Sequence, residues 1–320
     1  MRDVGPMGDE FHWTNRVVRA LAAFALLAAA AWVLARYSRT ITPTQLIAAF
    51  GTTARWRVVV SAALTVTSFS ALATYDVISA RLVSGRTVPT SIAAFAGATA
   101  NAISNTLGLH AITASAVRYR IYRRWGLSVQ QTARIIALSW AALGLGFLTA
   151  LALAFLVQPS DSTAGQNPIL YRAVGSALVT LVALLLVWMT RAPRTLRFAT
   201  LSLTLPSGAL APLQVLIGTI ETGATIGALY VLIPQDVAPA FAPFAAAFIG
   251  SVLLGIASHA PGGIGVFEAS MISLFPSGHT EFLAALLLFR LIYNIMPFVL
   301  SVAALGVFEL AARLIQFDGG

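Results

Sequence analysis

The hydrophobic positions of this chain fall into long continuous segments, not into the one-sided or alternating patterns of a soluble fold. Six of these segments are long enough, at about 20 residues, to cross a bilayer as helices. The pattern therefore predicts an all-α, polytopic membrane protein. The predicted spans cover residues 17–35, 58–80, 135–157, 173–190, 209–233 and 282–312.

Two further apolar regions, residues 89–122 and 240–275, carry polar and helix-breaking residues in their middle, at 103–108 and 257–265. Lipid cannot satisfy the N–H and C=O groups of an irregular backbone, so each break must be shielded by protein or line a wet cavity. Each region is either a full span followed by a surface helix or a re-entrant helical hairpin that enters and leaves on one face.

The arginines help to choose between these alternatives, since all 20 basic residues of the chain are arginine. If both regions cross, the chain has eight spans and its loops divide 7 arginines against 12. If both are hairpins, the division becomes 14 against 5, with Arg290 left inside the membrane. Because cytoplasmic loops carry the excess of positive charge, the sequence favours six spans, two hairpins and a polar cytoplasmic N-terminus at residues 1–16.

The hairpins also divide a single transmembrane domain, residues 17–317, into halves at about 17–157 and 173–317. In each half, an apolar span with one acidic residue precedes the hairpin: Asp76 in the first half and Glu221 in the second. The two hairpins would enter from opposite faces of the membrane. This order predicts two inverted halves, an arrangement common in transporters.

Composition supports a membrane protein and excludes several kinds of site. Hydrophobic residues make up 58% of the chain and charged residues only 10%, against about 25% charged in soluble domains. The chain has no cysteine, so it has no disulfide and no thiolate metal ligand. The net charge of +9 lies in short loops between apolar segments, so we expect contact with anionic lipids and not with nucleic acid.

Charged residues inside the predicted spans are the first candidates for function, because a charge at mid-membrane is costly and usually faces a cavity or a partner. Glu221 lies near the centre of an otherwise uncharged segment. Asp76 lies near the end of its span, where it either serves a function or pairs with Arg81 or Arg118. Arg290 needs an acidic or phosphate partner, and Glu221 is the expected internal candidate.

A run of arginines and aromatic residues at 118–125 follows the first break. Guanidinium groups bind phosphate oxygens through paired hydrogen bonds, whereas Tyr and Trp favour the depth of the lipid headgroups. The run is therefore either an interfacial anchor or a phosphate site. The first break itself contains Asn105. Arg118 is the first charged residue after this break and is expected to lie deepest in the membrane.

The second break contains His259 and is followed by Glu268, which suggest either an acid–base pair or a metal site. No His-Glu-x-x-His motif is present, and we predict neither a metal nor a cofactor. Gly262 and Gly263 do not form a nucleotide-binding loop, because no Lys-Ser or Lys-Thr follows them. They favour close helix packing and a nest of backbone N–H groups that can hold an anion.

The breaks also carry a family resemblance, in SNTLG at 104–108, VRYRIY at 117–122 and SHAPGGIGVFE at 258–268. These runs resemble the lysylphosphatidylglycerol synthase transmembrane region, the flippase part of the multiple peptide resistance factor proteins. The resemblance extends from about residue 55 to the C-terminus. It implies that the chain moves a phospholipid headgroup, typically that of aminoacylated phosphatidylglycerol, between leaflets of a bacterial cytoplasmic membrane.

The family's charged intramembrane positions match Asp76, Arg118 and Glu221. Our leading hypothesis from the sequence is that Arg118 holds the lipid phosphate, while Asp76 and Glu221 hold a cationic headgroup or a coupling proton. No catalytic residue is expected, because the aminoacyl-transferase domain of the full-length enzymes is not recognisable in these 320 residues. The other predicted substrate-binding residues are Asn105, His259, Gly262, Gly263, Glu268 and Arg290.

Two other functions stay open from the sequence. One is a membrane-embedded transferase that uses Glu268 or His259 as a base, and the other is a non-catalytic partner of a separately encoded lipid synthase. The expected partners are phospholipid headgroups and anionic lipids of the membrane. The candidate protein partners are a second copy of the chain and a separately encoded lipid synthase.

Overall fold

The computed structural model describes residues 53–108, 110–158, 167–192, 194–198, 201–258, 261–275 and 279–317, together with isolated positions before residue 53. Ten α-helices carry most of the regular structure in this part of the chain. They are α1 (Arg55–Ser84), α2 (Thr90–Leu107), α3 (His110–Tyr122), α4 (Val129–Leu156), α5 (Pro168–Arg191), α6 (Leu210–Tyr230), α7 (Phe241–Ala257), α8 (Val266–Leu274), α9 (His279–Phe289) and α10 (Met296–Phe317). A π-helical segment, Arg290–Ile295, joins α9 to α10.

Four stretches of helix in the described residues are long and apolar enough to cross a membrane, and they correspond to four of the six predicted spans. The predicted span at 17–35 and the polar N-terminus at 1–16 lie outside the described residues. The predicted span at 209–233 is helix α6, whose 21 residues are long enough to cross but which is not among the stretches that are also apolar enough. Neighbouring helices bury much of its surface. The four apolar stretches are Arg55–Ser84, Val129–Leu156, Pro168–Arg191 and Glu281–Ala311.

Helix α1 directs valines outward and small polar side chains inward, while other helices enclose an apolar core around Phe244, Phe248 and Phe282. On α1, Val59 and Val66 are 67% and 66% exposed, whereas Ser61, Ser68 and Asp76 are fully buried. Soluble proteins bury their large apolar residues and expose their charges, while helix packing through small residues is typical of bundles in lipid. The chain is therefore an all-α polytopic membrane protein, as its hydrophobic pattern predicts.

Both broken regions are pairs of helices that pack against each other, α2 with α3 and α7 with α8. The chain leaves α2 at Gly108, where a φ of 74° favours glycine. The second helices are short: the 13 residues of α3 and the 9 of α8 reach only about 20 Å and 14 Å, against a hydrocarbon core of roughly 30 Å. A short second helix fits both a re-entrant hairpin and a full span followed by a surface helix, so the choice between six and eight spans stays a prediction. The membrane face from which each hairpin enters stays a prediction.

The two predicted halves pack against each other reciprocally. Helix α1 of the first half lies against α6 of the second. The last helix of the second half, α10, packs on α2, and the last span of the first half, α4, packs on α7. The first arm of each hairpin therefore contacts the other half. Their inverted orientation stays a prediction.

A two-stranded antiparallel ribbon, β1 (Thr195–Phe198) and β2 (Leu201–Thr204), lies between α5 and α6 in the chain and was not predicted. Polar and apolar residues alternate in both strands, the period of a strand with two different faces. Four residues are too few for this signal to stand out beside the helical spans. Arg134 of α4 donates to Ser202 Oγ at 3.0 Å and ties the ribbon to the bundle.

Candidate functional site

One face of α1 carries a row of buried polar side chains, and we call this face the polar seam. Apart from the adjacent Tyr75 and Asp76, its members follow one another at three, four or seven residues, spacings that place them on one side of a helix. Each is at most 5% exposed, so no member contacts the surface. These side chains therefore face protein, while the opposite side of α1 faces outward with valines and with Thr67 and Ser70. The polar seam consists of Ser61, Thr65, Ser68, Tyr75, Asp76 and Ser79.

An ion pair between Asp76 and Arg118 joins the polar seam to the first hairpin. Arg118 donates from Nε to Asp76 Oδ1 at 2.8 Å and from Nη2 to Oδ2 at 2.7 Å. The Tyr122 hydroxyl donates to Oδ1 at 3.0 Å. This two-pronged geometry is the strongest form of an arginine–carboxylate pair. Of the two predicted partners of Asp76, the structure therefore supports Arg118, whereas Arg81 donates to Thr90.

The backbone of α2 makes room for this pair at Gly97. A Cβ atom at that position would lie only 2.8 Å from both Cβ and Oδ2 of Asp76. Since Asp76 is fully buried and its carboxylate is held by Arg118, it cannot move aside without breaking the pair. Glycine at 97 thus lets the first arm of the hairpin lie directly on the carboxylate, while the second arm supplies the guanidinium.

Arg118 has one nitrogen that the pair does not use. The side chain is 1% exposed, and Nη1 is buried with no hydrogen-bond partner among the described residues. A guanidinium has five N–H donors, and a buried donor without a partner costs about 1–3 kcal/mol. Such a group commonly marks the place of a water, an ion or a ligand. Nη1 of Arg118 is therefore the strongest candidate for contact with an anion in the part of the chain that the structure describes.

An open apolar groove lies beside the helix that carries Arg118. It has a volume of about 290 Å³ between α3 and α4, and Ser115, Ala137 and Trp140 are among its lining residues. Ser115 precedes Arg118 by three residues, about one helical turn. The groove offers few polar groups, so a hydrocarbon chain suits it better than a polar ligand does.

Glu221 lies in a different environment, surrounded by hydroxyl groups. Its Oε1 accepts from Ser68 and Thr225, both at 3.1 Å, and its Oε2 accepts from Thr222 at 3.2 Å. The Tyr293 hydroxyl lies 2.9 Å from those of Ser68 and Thr225. We call Ser68, Thr222, Thr225 and Tyr293 the hydroxyl cluster. Glu221 is 3% exposed and forms no ion pair within the described residues.

The predicted pairing of Glu221 with Arg290 is wrong. Arg290 donates from Nε to Glu268 Oε1 at 2.5 Å and from Nη1 to the Gly262 carbonyl at 2.7 Å. Oε2 of Glu268 accepts from the Gly265 backbone N–H at 2.8 Å, at the start of α8. Both oxygens of Glu268 are thus engaged in holding the second break to the π-helical segment. This engagement gives no support to Glu268 as a catalytic base.

The remaining predicted residues lie at the two breaks. Asn105 Oδ1 is 3.2 Å from His110 Nε2 at the first break. Gly262 and Gly263 have φ values of 60° and 64° at the second, where a side chain would strain the turn. His259 lies outside the described residues. Where the structure describes the chain, no three His, Asp or Glu side chains are grouped as a metal site would require.

The arginine run after the first break divides into two environments. Arg118 points into the bundle, whereas Arg120 and Arg124 are partly exposed and pair with Glu309 of α10 at 2.7 Å and 2.6 Å. Arg124 also lies over the Phe308 ring, 4.8 Å from its centroid. The run therefore contains one fully buried ion pair and a second, partly exposed group of ion pairs.

Sequence reasoning missed the residues that complete both acidic sites. Tyr122 follows Arg118 by four residues and Ser68 precedes Asp76 by eight, and these helical spacings could have indicated a shared face. Thr225 follows Glu221 by four residues, which is the same signal. No spacing in the sequence connects Tyr293 to the other members of the hydroxyl cluster.

Comparison with known proteins agrees with the membrane assignment. The chain is 28% identical to Uncharacterized protein slr0712 of Synechocystis over 268 residues, which cover 82% of this chain and 83% of that protein. It is 29% identical to Inner membrane protein YbhN of Escherichia coli over 207 residues, 62% of this chain and 64% of that protein. No family model matches the chain. The likeness to an inner membrane protein and the four apolar helices both support a membrane protein with several helical spans.

Proposed function

We propose that this protein moves a phospholipid headgroup between the leaflets of a bacterial cytoplasmic membrane. The observation that carries the proposal is the buried Asp76–Arg118 pair with its unpartnered Nη1. A headgroup inside the hydrocarbon loses its water, and only charged or polar groups of the protein can replace it. The family resemblance at the two breaks supports the same function, and the likeness to an inner membrane protein supports the location in the membrane.

Arg118 supplies the phosphate site in this proposal. A phosphate oxygen first accepts from Nη1, and guanidinium groups then bind two phosphate oxygens at once. As Arg118 turns toward the phosphate, Asp76 loses part of its counter-charge and becomes a site for a cationic group. An aminoacylated phosphatidylglycerol carries both a phosphate and an ammonium group, so it can exchange with both partners of the pair without leaving a buried charge unpaired.

The acyl chains need no polar path, because they stay in hydrocarbon throughout. The apolar groove between α3 and α4 can hold part of one chain while the headgroup engages Arg118. Trp140, 39% exposed at this groove, faces outward from the bundle. The proposal therefore assigns the headgroup to the polar seam and the chain to the groove.

The test is headgroup translocation by purified protein in proteoliposomes. One probe is fluorescent phosphatidylglycerol bleached from outside by dithionite, and another is lysyl-phosphatidylglycerol labelled by an impermeant amine reagent. Arg118→Lys should slow translocation by about tenfold or more. Lysine can still pair with Asp76 but lacks the fork, and a lost charge-assisted hydrogen bond of about 1.5–3 kcal/mol corresponds to at least a tenfold change.

Arg120→Lys is the matched control, since it makes the same exchange two residues along α3 at a partly exposed pair. It should leave translocation unchanged. Equal rates for the Arg118→Lys variant and the wild type would overturn the site assignment. Wild-type vesicles that behave like protein-free vesicles with both probes would overturn the function itself and favour a non-catalytic partner subunit.

A further inference from the structure

Glu221 and the hydroxyl cluster suggest a role that the Asp76–Arg118 pair does not supply. We propose that Glu221 is a proton-binding site whose proton is exchanged as the headgroup moves; the second part rests on the proposed function. The carboxyl group holds the proton in the closed arrangement of the cluster. When the cluster opens, the O–H bond breaks and the proton passes to water.

The first argument is the missing counter-ion. Asp76 and Glu221 are similarly buried, at 0% and 3% exposed, yet only Asp76 contacts a cation. An ionised carboxylate buried without a partner is strongly unfavourable, and such a group takes up a proton instead. The described surroundings of Glu221 offer it hydroxyl groups and no positive charge. A neutral carboxylic acid fits these surroundings.

The second argument concerns the protons that the cluster can share. The hydroxyls of Ser68, Thr225 and Tyr293 lie 2.9 Å apart in all three pairs, and each carries a single proton. Ser68 and Thr225 also lie 3.1 Å from Glu221 Oε1, and Thr225 lies 3.0 Å from the Glu221 backbone carbonyl. The three hydroxyl protons can serve only three of these six contacts, and a proton on Glu221 allows a fourth to be made.

A proton on Glu221 closes the hydrogen-bond circuit. In the protonated state, Oε1–H would donate to Ser68 across the same 3.1 Å over which Ser68 donates to an ionised Glu221. Ser68 would then donate to Tyr293, and Tyr293 to Thr225, both at 2.9 Å. Thr225 then donates to the Glu221 carbonyl at 3.0 Å. These residues come from α1, α6 and the π-helical segment, so the proton joins three elements. Its loss leaves a charged carboxylate among them and favours their separation.

Two tyrosines are the titratable groups that face Glu221 from the described elements packed around it. Tyr293 belongs to the hydroxyl cluster. Tyr75 is 1% exposed, and its hydroxyl, which lies against Gly218 one turn before Glu221, has no hydrogen-bond partner among the described residues. An unsatisfied buried hydroxyl commonly marks the place of a water, which could carry the proton away. The nearest charged groups are Asp76 on α1 and Arg290 in the π-helical segment, and each forms an ion pair. Helix α4 meets α6 at Gly146, which has no titratable side chain.

Infrared spectra of the reconstituted wild type, compared with those of its variants, test the proton site without any transport. Wild type should show the C=O stretch of a buried protonated carboxylic acid. Glu221→Gln should abolish that band, because the amide keeps the shape and a donor but cannot ionise. Glu281→Gln, which changes an exposed carboxyl group at the start of α9, should leave it intact. A wild type without the band, or a band that persists in Glu221→Gln, would overturn the inference.

Coupling is tested in vesicles that contain a pH-sensitive dye. A lysyl-phosphatidylglycerol gradient should change the internal pH in wild type, and Glu221→Gln should lose this response. Lipid-driven pH changes that survive in Glu221→Gln, or that require sodium in the buffer, would overturn the proton coupling. A Glu221 band in vesicles that move no lipid would keep the proton site and overturn the proposed function.

Tyr293→Phe keeps the experiment decisive if Glu221→Gln does not fold. It removes one hydroxyl of the circuit and leaves the carboxyl group in place. The carboxylic C=O band should then shift in frequency, because its hydrogen-bonded neighbours have changed. An unshifted band would show that the protonated group lies elsewhere and would overturn the assignment to Glu221.

Discussion

Replacing Asp76 with leucine is expected to lower the free energy of unfolding by about 3–5 kcal/mol, because Arg118 then stays buried without a counter-ion. Arg118→Met should cost a similar amount, since it leaves Asp76 with only the Tyr122 hydroxyl. The double variant removes both charges and should recover most of the loss, as buried ion pairs often exchange for apolar pairs at little net cost. Unfolding in mixed micelles with increasing dodecyl sulfate, followed by circular dichroism, measures all three variants.

A double-mutant cycle separates the ion pair from changes in side-chain volume. We expect a coupling energy of about 2 kcal/mol or more between positions 76 and 118. Glu309→Gln is the control, because its pairs with Arg120 and Arg124 are partly exposed and should contribute about 1 kcal/mol or less. Strictly additive losses in the cycle would contradict a coupled pair.

The double variant also separates stability from transport. If it folds with near wild-type stability, its loss of headgroup translocation can be assigned to the missing charges and not to a damaged fold. Arg118→Lys makes the same distinction in a complementary way, because it keeps the positive charge beside Asp76 and removes only the guanidinium geometry. Agreement between the two variants would connect the buried pair to the movement of the headgroup.

The long helices could be predicted from the sequence because lipid imposes a simple rule. A span needs about 20 apolar residues, and every backbone group must find its partner within the helix. Helix α6 is the instructive case: its neighbours bury much of its surface, so it tolerates Gln214 and Glu221 where a lipid-facing helix would not. Apolar length therefore predicts the outer helices better than the central one.

Partners across the bundle could not be predicted, because they depend on the rotation of each helix. The failed Glu221–Arg290 pairing illustrates this dependence. Arg290 begins a π-helical segment, where the extra residue in the turn changes the direction of side chains relative to a regular helix. Its guanidinium consequently faces Glu268 of the second hairpin. Counting residues at 3.6 per turn cannot show such a change.

Replacing Gly218 with alanine is expected to destabilise the protein by about 2–3 kcal/mol, although alanine favours helix more than glycine does. Gly218 of α6 meets Gly146 of α4 where these helices cross. A Cβ atom at 218 would lie 2.7 Å from the Gly146 Cα atom and 2.5 Å from the Tyr75 hydroxyl oxygen. Backbone on one side and a buried ring on the other leave the methyl group no space, so the helices must separate.

Gly223→Ala and Gly144→Ala are matched controls on the same two helices, because a Cβ atom at either position meets nothing within 4 Å. Each should raise stability by about 0.5–1 kcal/mol through helix propensity alone. The dodecyl sulfate titration should therefore give opposite signs for Gly218→Ala and its controls. Equal shifts would show that α4 and α6 do not cross at these glycines. Because Gly218 also borders the Tyr75 hydroxyl, its replacement should disturb the infrared band of Glu221, whereas the controls should leave that band unchanged.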